Sequence, residues 1–251
     1  MKKAVYYLLL FLLVSWTVSL AANKIYKYAV GGNIPTEVGL VAVAVADIAI
    51  FCIFVWRGYC PVSRNYVRSR PVRVVFWCVV ASLGTIIPSM WLDEHLAFLP
   101  NISQADESLF GSPLGYLAVV VCVPVCEEVV FRGAVIRSLL GWRDRKALAV
   151  VISAVIFALA HVNPAQMPHA FLLGLLLGWV FVRTGSVVPG IVIHGTNNLA
   201  VFILGGVMSA SGDVTLSDLY GGNALHVGLG ILFSLFILLP ALLQLHVSMK
   251  R

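Results

Sequence analysis

Apolar residues run in long blocks along the chain, and short polar segments separate the blocks. A transmembrane helix needs about 20 predominantly apolar residues. With that window the pattern predicts eight spans, at roughly 4–22, 38–56, 72–92, 113–137, 147–163, 167–183, 186–206 and 224–246. The connecting segments are short except for about 93–112 and 207–223. The pattern therefore predicts one membrane-embedded domain, 1–251, with no room for a separate soluble domain.

The first apolar block, MKKAVYYLLLFLLVSWTVSLAA, has two interpretations. Its basic start, its apolar run and the small residues Ala21 and Ala22 are typical of a signal peptide. Its apolar run of about 18 residues exceeds the usual 7–15 of a signal sequence, which favours an uncleaved helix. Either interpretation leaves the remaining topology unchanged.

The composition agrees with a polytopic all-α protein whose main partner is the lipid bilayer. Of the 251 residues, 60% are hydrophobic and only 11% are charged, whereas soluble domains are about a quarter charged. The formal charge of +6 does not indicate a nucleic-acid partner, because the charges fall in loops between spans. The five cysteines show no CxxC or Cys/His metal spacing, so neither a disulfide framework nor a cofactor is predicted.

Basic residues in short loops set the orientation of a membrane protein. One set of loops and ends carries Lys2, Lys3, Arg57, Arg64, Arg68, Arg70, Arg73, Arg137, Arg143, Arg145, Lys146, Arg183, Lys250 and Arg251. The other set carries Lys24 and Lys27 with Asp93, Glu94, Asp106, Glu107, Asp213 and Asp218. This segregation predicts a multi-pass protein of the cytoplasmic membrane with both termini in the cytoplasm.

Polar side chains inside the predicted spans are few, and such groups often mark function. They are Asp47, Glu127, Glu128, Arg132, His161, His169, His194, Asn197 and Asn198. At about 1.5 Å per residue, Glu127 lies roughly 15 Å from the cytoplasmic end of its span, and His161 about 21 Å. His194 and Asn198 lie at about 12 and 18 Å. Half of the hydrocarbon core is about 15 Å, so these residues are expected to share a site near the midplane.

The spacing within each helix separates two roles for the adjacent glutamates. Residues at i and i+4 share a helix face, so Glu128 and Arg132 are expected to pair. Glu127 is rotated by about 100° and has no partner on its own helix. His161 or His194 is therefore expected to supply one.

His194 and Asn198 are also four residues apart, so both can point at one spot. Imidazole and amide N–H groups aimed together suit an oxyanion that develops on a carbonyl. A carboxylate beside a histidine can take a proton from water and pass it on. The set favours hydrolysis of an amide or ester inside the membrane by activated water.

The remaining polar positions have more ordinary interpretations. Asn197 is expected to bond to a neighbouring helix, His169 to lie at the lipid interface, and Asp47 has no nameable partner. Gly174 and Gly178 form a small-xxx-small pattern that favours close packing of the sixth helix on a neighbour. Pro124 is expected to bend the fourth helix and free a backbone carbonyl near the glutamates.

Three motifs carry a family resemblance. Glu127-Glu128-Val-Val-Phe-Arg132 fits EExxxR, Phe157-Ala-Leu-Ala-His161 fits FxxxH, and His194-Gly-Thr-Asn-Asn198 fits HxxxN. In this order, on three helices, they resemble the CPBP family of intramembrane metal-independent proteases. That family includes the type II CAAX prenyl endopeptidases and bacterial proteins linked to bacteriocin processing or self-immunity. The resemblance covers roughly Pro113 to Ala200, within a motif-bearing catalytic core of about 113–206.

The resemblance implies a role for each motif residue. Glu127 and His161 would activate the water, and His194 with Asn198 would form the oxyanion hole. Glu128, Arg132 and Phe157 would support the site. The substrate would be a membrane-associated peptide or protein, with prenylated proteins and leader peptides as candidates.

Three other functions stay open at this stage. A zinc protease could use Glu127, His161 and His194 as metal ligands, and a chelator would then abolish its activity. A transporter is disfavoured because the chain shows no repeated halves. A non-catalytic immunity or scaffold protein would tolerate a neutral replacement of Glu127. A rhomboid-type serine mechanism is disfavoured because no GxSG motif is present.

Overall fold

A computed structural model describes residues 1–60, 72–102, 110, 112–142, 145–210 and 214–249, without the side chains of 209 and 210. Within those ranges the regular structure is entirely helical, which confirms the all-α prediction. The helices are α1 Lys2–Ala29, α2 Thr36–Trp56, α3 Val72–His95, α4 Pro113–Leu140, α5 Lys146–Ala160, α6 Met167–Thr184, α7 Val188–Ala210, α8 Leu216–Leu219 and α9 Ala224–Ser248.

Seven of the described helices are long and apolar enough to cross a membrane, by length and composition. These are α1 to α4, α6, α7 and α9, each at a position where a span is predicted. The fifth predicted span, 147–163, corresponds to α5, which is shorter at 15 residues. Helix α5 ends early because Val162 adopts a left-handed backbone with φ 57° and Asn163-Pro164 follows.

The predicted orientation rests in part on residues outside the described ranges. These are Arg64, Arg68, Arg70, Asp106, Glu107, Arg143, Asp213, Lys250 and Arg251. The described basic residues include Arg57 and Arg183, which lie at or just beyond the ends of α2 and α6.

Helix α4 is the centre of the bundle. In the most apolar 18-residue stretch of α4, 50% of the residues are buried, whereas in that of α9 only 11% are. Helix α4 is therefore enclosed, and α9 lies at the periphery. Helices α1, α2, α5, α6 and α7 all pack on it. On one side, Phe11 of α1 meets Phe131 of α4 edge-on, with ring centres 5.4 Å apart. Helices α3 and α9 pack together on the far side and contact α4 through α7 and α6.

Helix α6 packs closely on α5, as the small-xxx-small pattern predicts. A β-carbon at Gly174 would lie 3.1 Å from Ala154 Cα, and one at Gly178 would lie 3.0 Å from a methyl group of Val150. Glycine is needed at these two positions because the helices approach within backbone contact. This approach brings α6 and the end of α5 against the motif-bearing part of α4.

Candidate active site

Helix α4 carries the motif glutamates where a short regular α-helical stretch meets wider helical turns. Residues Tyr116–Cys122 and Glu128–Ile136 form π-helical turns, and Val123–Glu127 between them is regular α-helix. Such turns are rare and often occur at functional sites. Pro124 opens the regular stretch and has no backbone N–H. One carbonyl of the preceding turn is therefore left without an intrahelical donor.

Glu128 and Arg132 form the expected i,i+4 ion pair. Arg132 Nη1 lies 2.9 Å from Glu128 Oε1, and both residues are fully buried. Two other helices hold the arginine. Its Nη2 donates to the Gly174 carbonyl of α6 at 3.4 Å, and its guanidinium carbon lies 4.4 Å from the centre of the Phe157 ring of α5. That stacking is a cation–π contact, which partly offsets the cost of burying the charge.

The Phe157 ring is the common contact of the site. It meets His161 edge-on with ring centres 5.0 Å apart, and His194 edge-on at 5.8 Å. Its other neighbours are Phe131, at 5.1 Å, and the Arg132 guanidinium. A single buried aromatic ring thus fixes the positions of both motif histidines relative to the ion pair.

Glu127 lies beside His194 of α7. His194 Nε2 is 3.8 Å from Glu127 Oε2, and His194 Nδ1 is 3.5 Å from Glu128 Oε1, so a carboxylate faces each ring nitrogen. The two glutamates differ in access: the Glu127 side chain is 13% exposed and the Glu128 side chain 0%. Of the two histidines expected as partners for Glu127, His194 makes this contact.

His161 stands at the end of α5 with one ring nitrogen already engaged. Its Nδ1 lies 2.9 Å from the Phe157 carbonyl oxygen. Because a carbonyl only accepts, Nδ1 carries the proton, and Nε2 is left to accept in the neutral ring. Just beyond it, Asn163 is buried and its Nδ2 donates to Asn101 Oδ1 at 2.8 Å. The turn after His161 is therefore tied to the segment that follows α3.

Asn198 binds the backbone carbonyl that Pro124 leaves free. Its Nδ2 donates to the Val119 carbonyl oxygen at 2.9 Å. Val119 lies five residues before Pro124, which is the partner a π-type turn would assign to the missing N–H. This bond is one that a carbonyl freed by Pro124 near the glutamates would make. The amide has a second N–H that this bond does not use.

Helix α7 approaches the ion pair through a glycine. A β-carbon at Gly190 would overlap the Glu128 carboxylate, whose Cδ would lie 3.2 Å away. Helix α3 holds α7 from the other side, because Ser82 Oγ donates to the Ile193 carbonyl at 3.0 Å. These contacts on both sides fix the segment of α7 that begins the HxxxN motif.

His169 is half-buried and contacts the next helix. It lies in the first turn of α6, and its Nε2 is 3.3 Å from Asn197 Nδ2 of α7. It is also close enough to His161 and His194 to interact electrostatically with both. The contact confirms that Asn197 bonds to a neighbouring helix. The sequence does not predict this contact of His169, because position along a helix does not reveal the facing helix.

Asp47 of α2 is a second residue whose partner the sequence does not predict. It is 6% exposed, and its Oδ2 has no hydrogen-bond partner among the described residues. Cys126 of α4 lies within hydrogen-bonding reach of its carboxylate. The signal in the sequence was an acid in an apolar span, and only the packing of α2 on α4 shows what it faces.

The geometry gives no ready metal centre within the described ranges. No group of three or more His, Cys, Asp and Glu side chains is arranged there to hold a metal ion. The zinc set considered from the sequence, Glu127, His161 and His194, is therefore not assembled as ligands in this conformation.

Comparison with known proteins agrees with the motif pattern. Residues 109–200 match the family model described as type II CAAX prenyl endopeptidase Rce1-like, a segment that contains all three motifs. Neither the curated proteins nor the solved structures give a significant match.

Proposed function

Because residues 109–200 match the type II CAAX prenyl endopeptidase Rce1-like family model and contain the three motifs that resemble the CPBP family, we propose that this chain is a glutamate-dependent intramembrane endopeptidase. It would hydrolyse a peptide bond of a membrane-associated substrate by activated water, without a cofactor. A prenylated protein or a leader peptide is the substrate class that the family suggests. The catalytic core would comprise about 113–206 within a single membrane-embedded domain.

The observation that carries the proposal is the contact between Glu127 and His194. The two side chains meet inside an apolar bundle, and Glu127 keeps 13% of its side chain exposed. The 3.8 Å from Nε2 to Oε2 is longer than a direct hydrogen bond, so neither group is committed to the other and both can act on a water beside them. Glu127 Oε2 is buried and has no hydrogen-bond donor among the described residues, so its acceptor capacity is unused by the protein.

The reaction follows from these placements. Glu127 accepts a proton as the water oxygen bonds to the carbonyl carbon of the scissile peptide, and the carbonyl electrons move onto its oxygen. The second amide N–H of Asn198 stabilises that oxyanion, and the Nε2–H of His194 joins it once the proton has neutralised Glu127. The C–N bond then breaks, the carbonyl re-forms, and the proton held by Glu127 passes to the leaving amine. His161 would orient the water through its free Nε2.

The catalytic groups would be held in position by three neighbouring residues, Glu128, Arg132 and Phe157. The Glu128–Arg132 pair places a carboxylate 3.5 Å from His194 Nδ1, which orients the imidazole toward Glu127. Phe157 packs against both histidines and the guanidinium. These three residues are therefore proposed as positioning residues.

The proposed location is the cytoplasmic membrane, with both termini in the cytoplasm. The motif helices would then bring the site to about half the depth of the bilayer, where water is scarce. A substrate anchored in the membrane would reach it from the cytoplasmic side or laterally from the lipid.

The test is proteolysis by the purified protein in liposomes, with a farnesylated CAAX peptide and short transmembrane leader peptides as substrates. Glu127→Gln, His161→Gln and His194→Gln are each expected to abolish cleavage. The matched controls are Glu37→Gln and His226→Gln, which alter exposed residues at the starts of α2 and α9 and should cleave normally. Cleavage retained in Glu127→Gln would contradict the mechanism.

A chelator arm distinguishes the zinc alternative. The proposal expects cleavage to be unaffected by EDTA or 1,10-phenanthroline. If the chelator abolishes cleavage and added zinc restores it, a metal mechanism replaces the proposed one. If no substrate is cleaved and Glu127→Gln keeps the cellular phenotype, a non-catalytic binding role replaces catalysis.

A further inference from the structure

A cavity of about 210 Å³ lies between α2 and α4, one residue along the chain from Glu127. Its floor includes Asp47 and Cys126, which are both buried, and its rim includes Ile48 and Val121, which are exposed on the outer surface of the bundle. The cavity therefore opens sideways toward the lipid. Phe51 and Val125 complete its apolar wall.

The floor of this cavity contains one carboxyl oxygen that the described protein does not satisfy. Asp47 is 6% exposed, and its Oδ2 has no hydrogen-bond partner in the part of the chain that the structure describes. A buried carboxylate without a partner is costly, and an incoming cation or donor would relieve that cost. The other polar contact of the carboxyl group is the Cys126 thiol, which is a weak donor.

The apolar walls and the carboxyl group on the floor together determine which kind of side chain the cavity can bind. Apolar walls suit a straight hydrocarbon stem, and a single free carboxyl oxygen suits a compact ammonium better than a guanidinium that needs a bidentate partner. Cys126, which lines the cavity, directly precedes Glu127 on α4, so a side chain held in the cavity would lie against the turn that carries the catalytic glutamate.

From this geometry we propose that the cavity is a specificity pocket for a lysine side chain of the substrate, with the ammonium bound by Asp47. The inference rests on the proposed endopeptidase function for its role. The pocket itself is open to a test that needs no cleavage.

Cys122 lines the same cavity and serves as a reporter of what enters it. The protein in liposomes, with the exposed Cys52 changed to Ser, is treated with a cationic aminoethyl and a neutral methyl methanethiosulfonate reagent. Cys122→Ser identifies the signal of this residue. The cationic reagent is expected to modify Cys122 about tenfold faster than the neutral one, as a hydrogen bond to a buried charge predicts. n-Butylammonium should protect the thiol, and n-butanol should not.

The Asp47 variants decide the assignment. Asp47→Asn should abolish the preference for the cationic reagent and the protection by n-butylammonium, while Asp47→Glu keeps both. An unchanged rate with the neutral reagent serves as the folding control. The pocket assignment would be overturned if wild type and Asp47→Asn preferred the cationic reagent equally, or if wild type showed no preference for it.

Cleavage then connects the pocket to the substrate. Peptides with lysine or norleucine at each position flanking the scissile bond are compared in wild type and Asp47→Asn. One position should favour lysine over norleucine in kcat/KM, and Asp47→Asn should bring that lysine-to-norleucine ratio to about one. Ammonium selectivity at Cys122 without any cleavage would reject the endopeptidase function and keep the pocket. Cleavage without lysine preference at any position would reject the specificity role.

Discussion

Glu127 and Glu128 are adjacent in sequence and lie in different surroundings. Glu128 is fully buried against Arg132, a pairing that the four-residue spacing predicts because both residues belong to one helix. Glu127 faces His194 on another helix, and no local spacing could choose His194 over His161. The charged residues that matter could thus be found from the sequence, whereas their partners across helices required the packing.

Removal of Arg132 should destabilise the protein strongly. Arg132→Met leaves Glu128 buried without its cation and is expected to cost about 3–5 kcal/mol. The double variant Glu128→Gln with Arg132→Met should recover most of that loss, since it removes both charges. Unfolding in mixed micelles with increasing SDS measures both effects. Equal destabilisation of the single and double variants would show that packing of the side chains, and not their charge, accounts for the loss.

At the level of the helix, Pro124 shapes the site through the backbone. The sequence predicts a freed carbonyl, but it does not indicate that the turns on either side widen or that Asn198 binds Val119. Those features depend on α7 lying against α4, where a β-carbon at Gly195 would sit 3.4 Å from the Val120 carbonyl. Turn geometry here follows tertiary packing more than local preference.

Pro124→Ala should lower activity without unfolding the protein. The alanine restores an N–H that competes with Asn198 for the carbonyls of the preceding turn, so Asn198 loses its fixed position. The rate of substrate cleavage in liposomes measures the effect. Pro240→Ala, inside the peripheral helix α9, is the matched control and should cleave as wild type does. Equal activity in both variants would contradict the role given to the Val119 carbonyl.

Gly174→Ala should separate α5 from α6. The added methyl group would lie 3.1 Å from Ala154 and 3.2 Å from Phe157, and such overpacking costs about 1–3 kcal/mol. Gly228→Ala in α9 is the matched control, because a β-carbon there meets nothing within 4 Å. SDS unfolding should show a loss of stability for the first variant only. A Gly174→Ala protein as stable as the control would mean that the two helices can move apart without cost.

For the whole molecule, the blocks of apolar sequence predict an all-helical bundle because a bilayer leaves few other structures. Seven of the eight predicted spans coincide with described helices of spanning length. Helix α5 differs because a left-handed residue and Asn163-Pro164 end it after 15 residues, about 22 Å at 1.5 Å per residue. Hydropathy averages over such a stop and so overestimates the length of the span.

The side on which each terminus lies tests whether α5 crosses the membrane. Eight crossings place both termini on one side, as the distribution of basic residues predicts, whereas seven would place them on opposite sides. Fusions of a reporter that is active only in the cytoplasm, made separately at each end, measure this directly. Activity from both fusions is expected. Activity from only one would show that α5 re-enters without crossing.

The most direct measurement of the central claim is the single-turnover cleavage rate of Glu127→Gln beside wild type and Glu37→Gln. The substitution keeps the shape of the side chain and removes its ability to accept a proton. If Glu127 is the general base, the rate should fall by about 100-fold or more, while Glu37→Gln stays at the wild-type rate. A Glu127→Gln protein that cleaves as fast as wild type would show that the water is activated by another group.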